Sequence, residues 1–312
     1  MFRIIVYIYI YTIIIPEIIE IFYVAKWLNH KFKGKNIEEI TVVSGRYKKK
    51  HIPGIDLFNT TKPFTILEIS SKGKVIWFKV KNKNNQVNYI FNRFGLSGEW
   101  LLDDSSYTRI KLDIDGIYLY FSDLRNFGIF EIINSDEWKR RVDGVGDDLL
   151  QTKFTVDDIK KKLKDYLVGK GNVRGNKEVI RILMDQKIVG SGIGNYLGAE
   201  ILYHAKISPH TKIINIYKNN NLLKKLVHSI KYIIKLSYLS KNIKYMHDKN
   251  LIKFIEKTRK EKKYDFHADI KVGKNDKFVF NVYRQKIDPH GNIINTSKII
   301  TGRTTYWSPI QK

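Results

Sequence analysis

The sequence contains no cysteine. Disulfides, thiolate zinc sites, iron–sulfur clusters and a cysteine nucleophile are thereby excluded, as fits an intracellular protein. Acidic residues are scarce: 31 Asp and Glu stand against 56 Lys and Arg, a formal net charge of +25 at pH 7. A chain with 43% hydrophobic residues is not a disordered basic tail. Its surplus charge points to a polyanionic partner, because neutralising phosphates releases condensed counterions. Nucleic acid is the leading candidate, and a coding bias toward Lys, Ile and Asn is the alternative source of some of this surplus. No apolar run is long enough to cross a bilayer. Residues 1–15, MFRIIVYIYIYTIII, are strongly apolar, but Pro16, Glu17 and Glu20 cut the run short. With Arg3 alone as a charged head and no small-residue cleavage site, the run makes a poor secretory signal. There is no internal repeat.

What is present falls into successive patterns. Residues 16–32 have the helical period, with Ile21, Val24, Leu28 and Phe32 on one face. Pro16 suits a first helical turn, where its missing N–H goes unpaired anyway, and Gly34 ends the helix. Residues 37–135 read as short alternating segments: EEITVVSGRY, FTILEISS, KVIWFKV, NYIFNRFG, TRIKLDI and GIYLYFSD. Turn residues at Lys72-Gly73, Gly98 and Asp115-Gly116 divide them, and many short strands at this spacing predict an antiparallel sandwich or barrel. A charged stretch, DEWKRRVDGVGDD, marks a boundary near residue 145. Beyond it VDDIKKKLKDYL, NKEVIRILMDQ, NYLGAEILYHA and LLKKLVHSIKYIIKLSYL are helical. The tail returns to a β pattern in KFVFNVY, a turn at Asp288-Pro289-His290-Gly291-Asn292, and KIITGRTTYW. The expected fold class is α+β: an apolar leader (1–15), a β-sandwich domain with a leading helix (16–145), a helical domain (146–270) and a terminal hairpin (271–312).

Three distant segments carry a resemblance. Pro16-Glu17-Ile18-Ile19-Glu20 is similar to the Pro-Glu-x-x-Glu opening of the Fpg/Nei DNA glycosylases. MDQKIVGSGIGNYLGAEILYHAKISPH, residues 184–210, resembles that family's helix–two-turn–helix, nearest to its eukaryotic and viral Nei-like branch. FNVYRQKIDPHGNIINTSKIITGRTTYW, residues 280–307, resembles its hairpin finger, ending in Gly-Arg-Thr. Most of the family builds that finger on four cysteines and zinc; the Nei-like branch includes fingers without zinc, so a cysteine-free hairpin fits it. The resemblance implies no metal, no cofactor, damaged DNA as partner, a monomer, and a location wherever DNA is kept.

It also implies a set of site residues. Pro16 is the implied nucleophile at C1′ of the damaged nucleotide, a role for the free secondary amine of an N-terminal proline. The iminium so formed leads to strand cleavage by β/δ-elimination. Glu17 is then the acid for the sugar oxygen or a proton shuttle. Lys74 matches a hairpin lysine that reaches the lesion's phosphate and assists catalysis. Arg303 matches the finger arginine, whose planar donor fork suits phosphate. Asn195 and Gly194, at a helix start, read as a phosphate site; GSGIGN lacks the strand and spacing of a dinucleotide loop. Leu96, Arg125 and Phe127 match the side chains that fill the space left by an extruded base, though Leu96 and Phe127 taken singly read as core. Glu20 either faces the extruded base or caps the helix, and Glu200 reads as local support. The lysine-dense stretch 212–263 reads as a solvated face with some DNA contact.

One departure leaves two readings open. Ile15 precedes Pro16 in the sequence as written, and a proline nitrogen within a peptide bond is a tertiary amide without a usable lone pair. The chain is expected to be a bifunctional glycosylase and lyase for oxidised bases, pyrimidines favoured, whose active form starts at Pro16. The alternative is a catalytically silent protein that binds damaged DNA.

Overall fold

The computed structural model describes residues 16–240, 249–261 and 266–312; the apolar leader and two pieces of the lysine-dense stretch lie outside the described residues. Helix α1 (Ile18–Phe32) leads the fold. Its N-cap is Glu17, whose backbone N–H donates to the Glu20 carboxylate at 2.8 Å, so Pro16 lies before the cap and not in the first turn. The expected face of Ile21, Val24, Leu28 and Phe32 is buried, and so are Ile18, Ile19, Phe22, Tyr23 and Trp27 around it. The polar side of α1, Lys26, Asn29, His30 and Lys31, stays half-buried or exposed, and each buried apolar side chain contributes roughly 1.5–3 kcal/mol.

Strands β1 (Asn36–Val42), β2 (Phe64–Lys72), β3 (Val75–Lys81), β4 (Val87–Arg93), β5 (Gly98–Leu101), β6 (Thr108–Ile114), β7 (Ile117–Asp123) and β8 (Ile129–Asn134) follow, with helix α2 (Ile55–Thr61) between β1 and β2. The residues GRY, expected to extend β1, instead form a 3₁₀ turn over Gly45–Lys48. All eight strands join one antiparallel sheet in the order β5-β7-β6-β1-β2-β3-β4-β8. The expected sandwich is this one sheet folded over. Its joint is the β1–β2 pair, which is registered only at Asn36↔Thr65 and Ile37↔Phe64. Trp100 on edge strand β5 closes it: its ring lies 5.6 Å from Phe78 of β3 and 6.3 Å from Phe130 of β8, and its indole N–H donates to Asn92 of β4 at 3.2 Å. Strands β5 and β8 give only short patterns in the sequence: β5 has four residues, and in β8 the adjacent Ile132 and Ile133 are both buried. Between β2 and β3, Lys72 pairs with Val75 and Gly73 has φ +56°, so Gly73-Lys74 is a two-residue turn with Lys74 at its tip.

The second half is built from α3 (Ser135–Asp143), α4 (Val156–Leu167), α5 (Gly171–Gly175), α6 (Val179–Met184), α7 (Asn195–Ala205), α8 (Ile213–Lys218), α9 (Asn220–Leu239) and α10 (Lys249–Lys260). Helix α3 covers the outer face of the sheet, stacking Trp138 on Tyr89 at 4.4 Å. Helix α10 returns to α1, where Arg259 donates to the Tyr23 hydroxyl at 3.0 Å. That hydroxyl donates on to the Tyr238 carbonyl at 3.0 Å. A single hydrophobic cluster therefore runs from α1 through the helices.

The terminal hairpin is β9 (Asn295–Ser297) paired with β10 (Thr305–Trp307). KFVFNVY, expected as a strand, is not one. The N–H groups of Asn281, Val282 and Tyr283 all donate to the buried Glu200 carboxylate at 2.9–3.0 Å, so they have no strand partner to seek. The buried Asp288 carboxylate holds the preceding turn, accepting the N–H groups of His290 and Asn292 at 2.9 Å and the Ser308 hydroxyl at 2.6 Å. Against the upward push of burial, those bonds hold its carboxyl well below the usual range. Among the described residues no helix is long and apolar enough to cross a membrane, and no group of three or more His, Asp or Glu is placed to hold a metal.

Candidate active site

The site forms where the start of α1 meets the start of α7. Glu17 is fully buried, and its carboxylate accepts the N–H groups of Gly194 at 2.6 Å, Tyr196 at 2.9 Å and Leu197 at 3.3 Å. These are amides that a helix N-terminus leaves without internal partners, at the positive end of its dipole. The phosphate site expected there is thus filled by the protein's own anion. The Asn195 side chain is engaged as well, donating to the Thr304 carbonyl at 3.0 Å. It ties α7 to the loop that carries Arg303. The Ile18 N–H donates to the Gly192 carbonyl at 3.2 Å, so the residue after Glu17 is docked on the same loop.

Lys74 arrives from the sheet. It is no solvated turn lysine: a Cβ built on Gly194 would lie 2.3 Å from its Nζ and 2.4 Å from Glu17 Oε1. Ammonium and carboxylate therefore crowd the same small space over the bare Gly194 Cα. Burial pushes the Glu17 carboxyl up to about 7, opposed by the Lys74 ammonium and the α7 amides and aided by Glu20. Burial likewise lowers Lys74, with Glu17 opposing and the Arg303 guanidinium adding to the fall. Arg303 thus stands within electrostatic reach of Lys74. Pro16, half-buried, immediately precedes Glu17.

Glu20 takes the capping alternative. Besides the Glu17 N–H it accepts the Tyr196 hydroxyl at 2.9 Å. Tyr196 was not singled out in the sequence, yet it serves both glutamates, one through its backbone and the other through its hydroxyl. Its place beside Gly194 was the only available signal.

Residues 15–130 match the family model of the formamidopyrimidine-DNA glycosylase N-terminal domain, and residues 268–312 match that of the C-terminal domain. The chain belongs to the formamidopyrimidine-DNA glycosylase family. Among its relatives, the formamidopyrimidine-DNA glycosylase of Wolbachia pipientis (strain wPip) is 26% identical over 200 residues, 62% of this chain and 68% of that one. That of Rhodococcus erythropolis is 29% identical over 204 residues, 62% and 66% of the two chains. Among solved structures, Lactococcus lactis Fpg bound to DNA containing an abasic site superposes with a TM-score of 0.68 at 18% identity, over 95% of this chain and 99% of that one. Thermus thermophilus Fpg gives 0.67 at 18% identity, over 95% and 98%.

In this family member the remaining predicted residues form a separate ledge. Phe127 is 58% exposed, Arg125 is exposed and Leu96 is half-buried, so the core reading of Phe127 fails. Two loops are braced together there. The Arg125 N–H donates to the Ser97 hydroxyl at 2.9 Å, the hydroxyl donates to Asp123, and Asp123 also accepts the Gly128 N–H at 2.6 Å. Phe127 thus stands exposed on a braced loop.

Proposed function

We propose that this glycosylase-family chain excises oxidised bases from DNA, pyrimidines favoured, and cleaves the resulting abasic strand, with Pro16 as nucleophile. The observation that carries the reading is the convergence of Glu17 and Lys74 over Gly194, immediately beside Pro16. In this scheme the free Pro16 amine attacks C1′ as the bond from C1′ to the damaged base breaks. Glu17, partly protonated near neutrality because burial raises it to about 7, gives a proton to the sugar oxygen as the ring opens to the iminium. Loss of the adjacent sugar proton then expels the 3′ phosphate by elimination. Lys74 and Arg303 anchor the phosphates, and Leu96, Arg125 and Phe127 occupy the space the base vacates. Solved structures of Lactococcus lactis Fpg with abasic-site DNA and with DNA containing an oxidised pyrimidine support DNA of this kind as the substrate. The cysteine-free finger supports a place near the Nei-like branch. The division at residues 145 and 270 into sheet, helical and finger domains belongs to the same proposal.

A second reading stays in play for one specific reason: Ile15 acylates Pro16 in the sequence as written. A chain working in that form binds damaged DNA without excising. Borohydride trapping on an oxidised-pyrimidine duplex, comparing the full chain with one beginning at Pro16, separates the two. Trapping of the shorter chain alone establishes Pro16 as nucleophile. No trapping of either, alongside tight and salt-sensitive binding, establishes the silent reading.

The exposed ledge yields a further expectation. Phe127→Ala should change folding stability by no more than about 0.5 kcal/mol in a urea titration, as for other surface positions. It should lower the preference for an abasic-analogue duplex over intact duplex by roughly tenfold, the loss of one stacking contact. A preference unchanged by the substitution removes Phe127 from the void-filling set.

A further inference from the structure

The hairpin that carries Lys74 is held from outside its own sheet. The Gly73 N–H donates to Asp148 Oδ2 at 2.8 Å. The Gln151 side-chain amide links the same oxygen, at 3.0 Å, to the Ser71 carbonyl at 3.2 Å. Asp148 Oδ1 accepts the N–H groups of Leu150 at 2.9 Å and Gln151 at 2.8 Å. Asp148 is only 5% exposed, so this is a buried carboxylate whose oxygens are met by protein amides, the condition under which a buried charge is tolerated.

The other side of the same segment is stitched to the loop that leads into α7. Leu149 N–H donates to the Ser191 carbonyl at 3.2 Å, Ser191 N–H to the Asp147 carbonyl at 2.7 Å, and the Ser191 hydroxyl to the Gly146 carbonyl at 2.9 Å. Gly73 itself stands against Ser191, since a Cβ there would lie 2.4 Å from the Ser191 hydroxyl oxygen. Residues 146–151 are therefore a wedge between the Lys74 turn and the Gly194 helix start.

We propose that Asp148 is a positioning residue, which sets the Lys74 ammonium over Gly194 beside Glu17 while touching neither DNA nor the reacting atoms. The catalytic consequence rests on the glycosylase reading; the pin itself does not. Packing alone would not call for a charge at this place. Asn has the same shape, but its NH₂ would face an N–H donor, either that of Gly73 or those of Leu150 and Gln151.

The test compares Asp148→Asn, Lys74→Ala and the double variant. Amide hydrogen exchange across residues 71–75 and affinity for a tetrahydrofuran-containing duplex are measured on the full chain. Single-turnover excision is measured on the form that traps. In Asp148→Asn, exchange at 71–75 should quicken about tenfold or more, duplex affinity should fall by no more than Lys74→Ala lowers it, and excision should slow by roughly 30-fold, the scale of a misplaced catalytic group. In the Lys74→Ala background the same substitution should slow excision no further, because coupled residues are not additive. Unchanged exchange at 71–75, or an equal loss of rate in both backgrounds, overturns the proposal. If the unsubstituted protein excises nothing, the glycosylase reading falls on its own, and the exchange result alone decides whether Asp148 holds the hairpin.

Discussion

Glu17→Gln should lower single-turnover excision about 1,000-fold, within the range of roughly 10²–10⁴ that a positioned acid contributes. The reason lies in how the carboxylate is held. Its two oxygens meet three amides of α7, Gly194 and Leu197 on Oε2 and Tyr196 on Oε1. A glutamine can keep one oxygen there but must turn its NH₂ toward an N–H. It can neither give nor take the proton. The pH dependence follows from the same burial. A carboxyl raised to about 7 holds its proton below that pH and loses it above, while the Pro16 amine gains its nucleophilic free form as pH rises toward roughly 7.7–8. Excision by the unsubstituted protein should therefore peak between the two and fall on the alkaline side. That limb should vanish in Glu17→Gln. Binding to a tetrahydrofuran-containing duplex should survive, since Lys74 and Arg303 remain. Excision within tenfold of the unsubstituted rate would remove Glu17 as the acid.

Gly194→Ala should cost about 100-fold in excision, the price of moving a catalytic group by about 1 Å. The backbone there, φ −126° and ψ −149°, is open to any residue, so strain does not explain a loss. The added methyl would enter the space shared by Lys74 and Glu17, at 2.3 Å from one and 2.4 Å from the other. Glu17 is fixed by the α7 amides, so the flexible lysine yields. Gly198→Ala, one turn along α7, is the contrast. Its methyl would meet Ile180 in the core at 2.7 Å. It should lower the melting temperature while the folded fraction keeps its specific activity. If Gly194→Ala excises normally, the convergence over Gly194 is not the working site.

Much of this arrangement was legible in the residues themselves. The period of α1, the turn at Gly73-Lys74 and the Pro-Glu-x-x-Glu, helix–two-turn–helix and Gly-Arg-Thr segments are all local patterns. Local patterns survive in one dimension because a helical face or a two-residue turn is set by neighbours a few positions away. The misreadings have a common cause. KFVFNVY alternates like a strand, but a strand exists only where another strand offers partners, and Glu200, some 80 residues earlier in sequence (|i−j| of 81–83), takes its amides instead. Gly194 and Asn195 read as a phosphate site because a helix N-terminus attracts anions. Which anion occupies it was decided by Glu17, 177 residues away from Gly194.

The sequence by itself determined the α+β class, the cysteine-free finger and the identity of the candidate site residues, since composition and local spacing carry those. Only the tertiary structure decided how they act on one another. It buried Glu17 and set the half-buried Lys74 against it, and so shifted both protonations. It turned Phe127 outward from a segment that reads as core, and it placed Asp148 between two loops that neither flank it nor resemble one another. Burial and electrostatic coupling depend on distances between residues far apart in the chain, and those distances exist only once the sheet and the helices have packed.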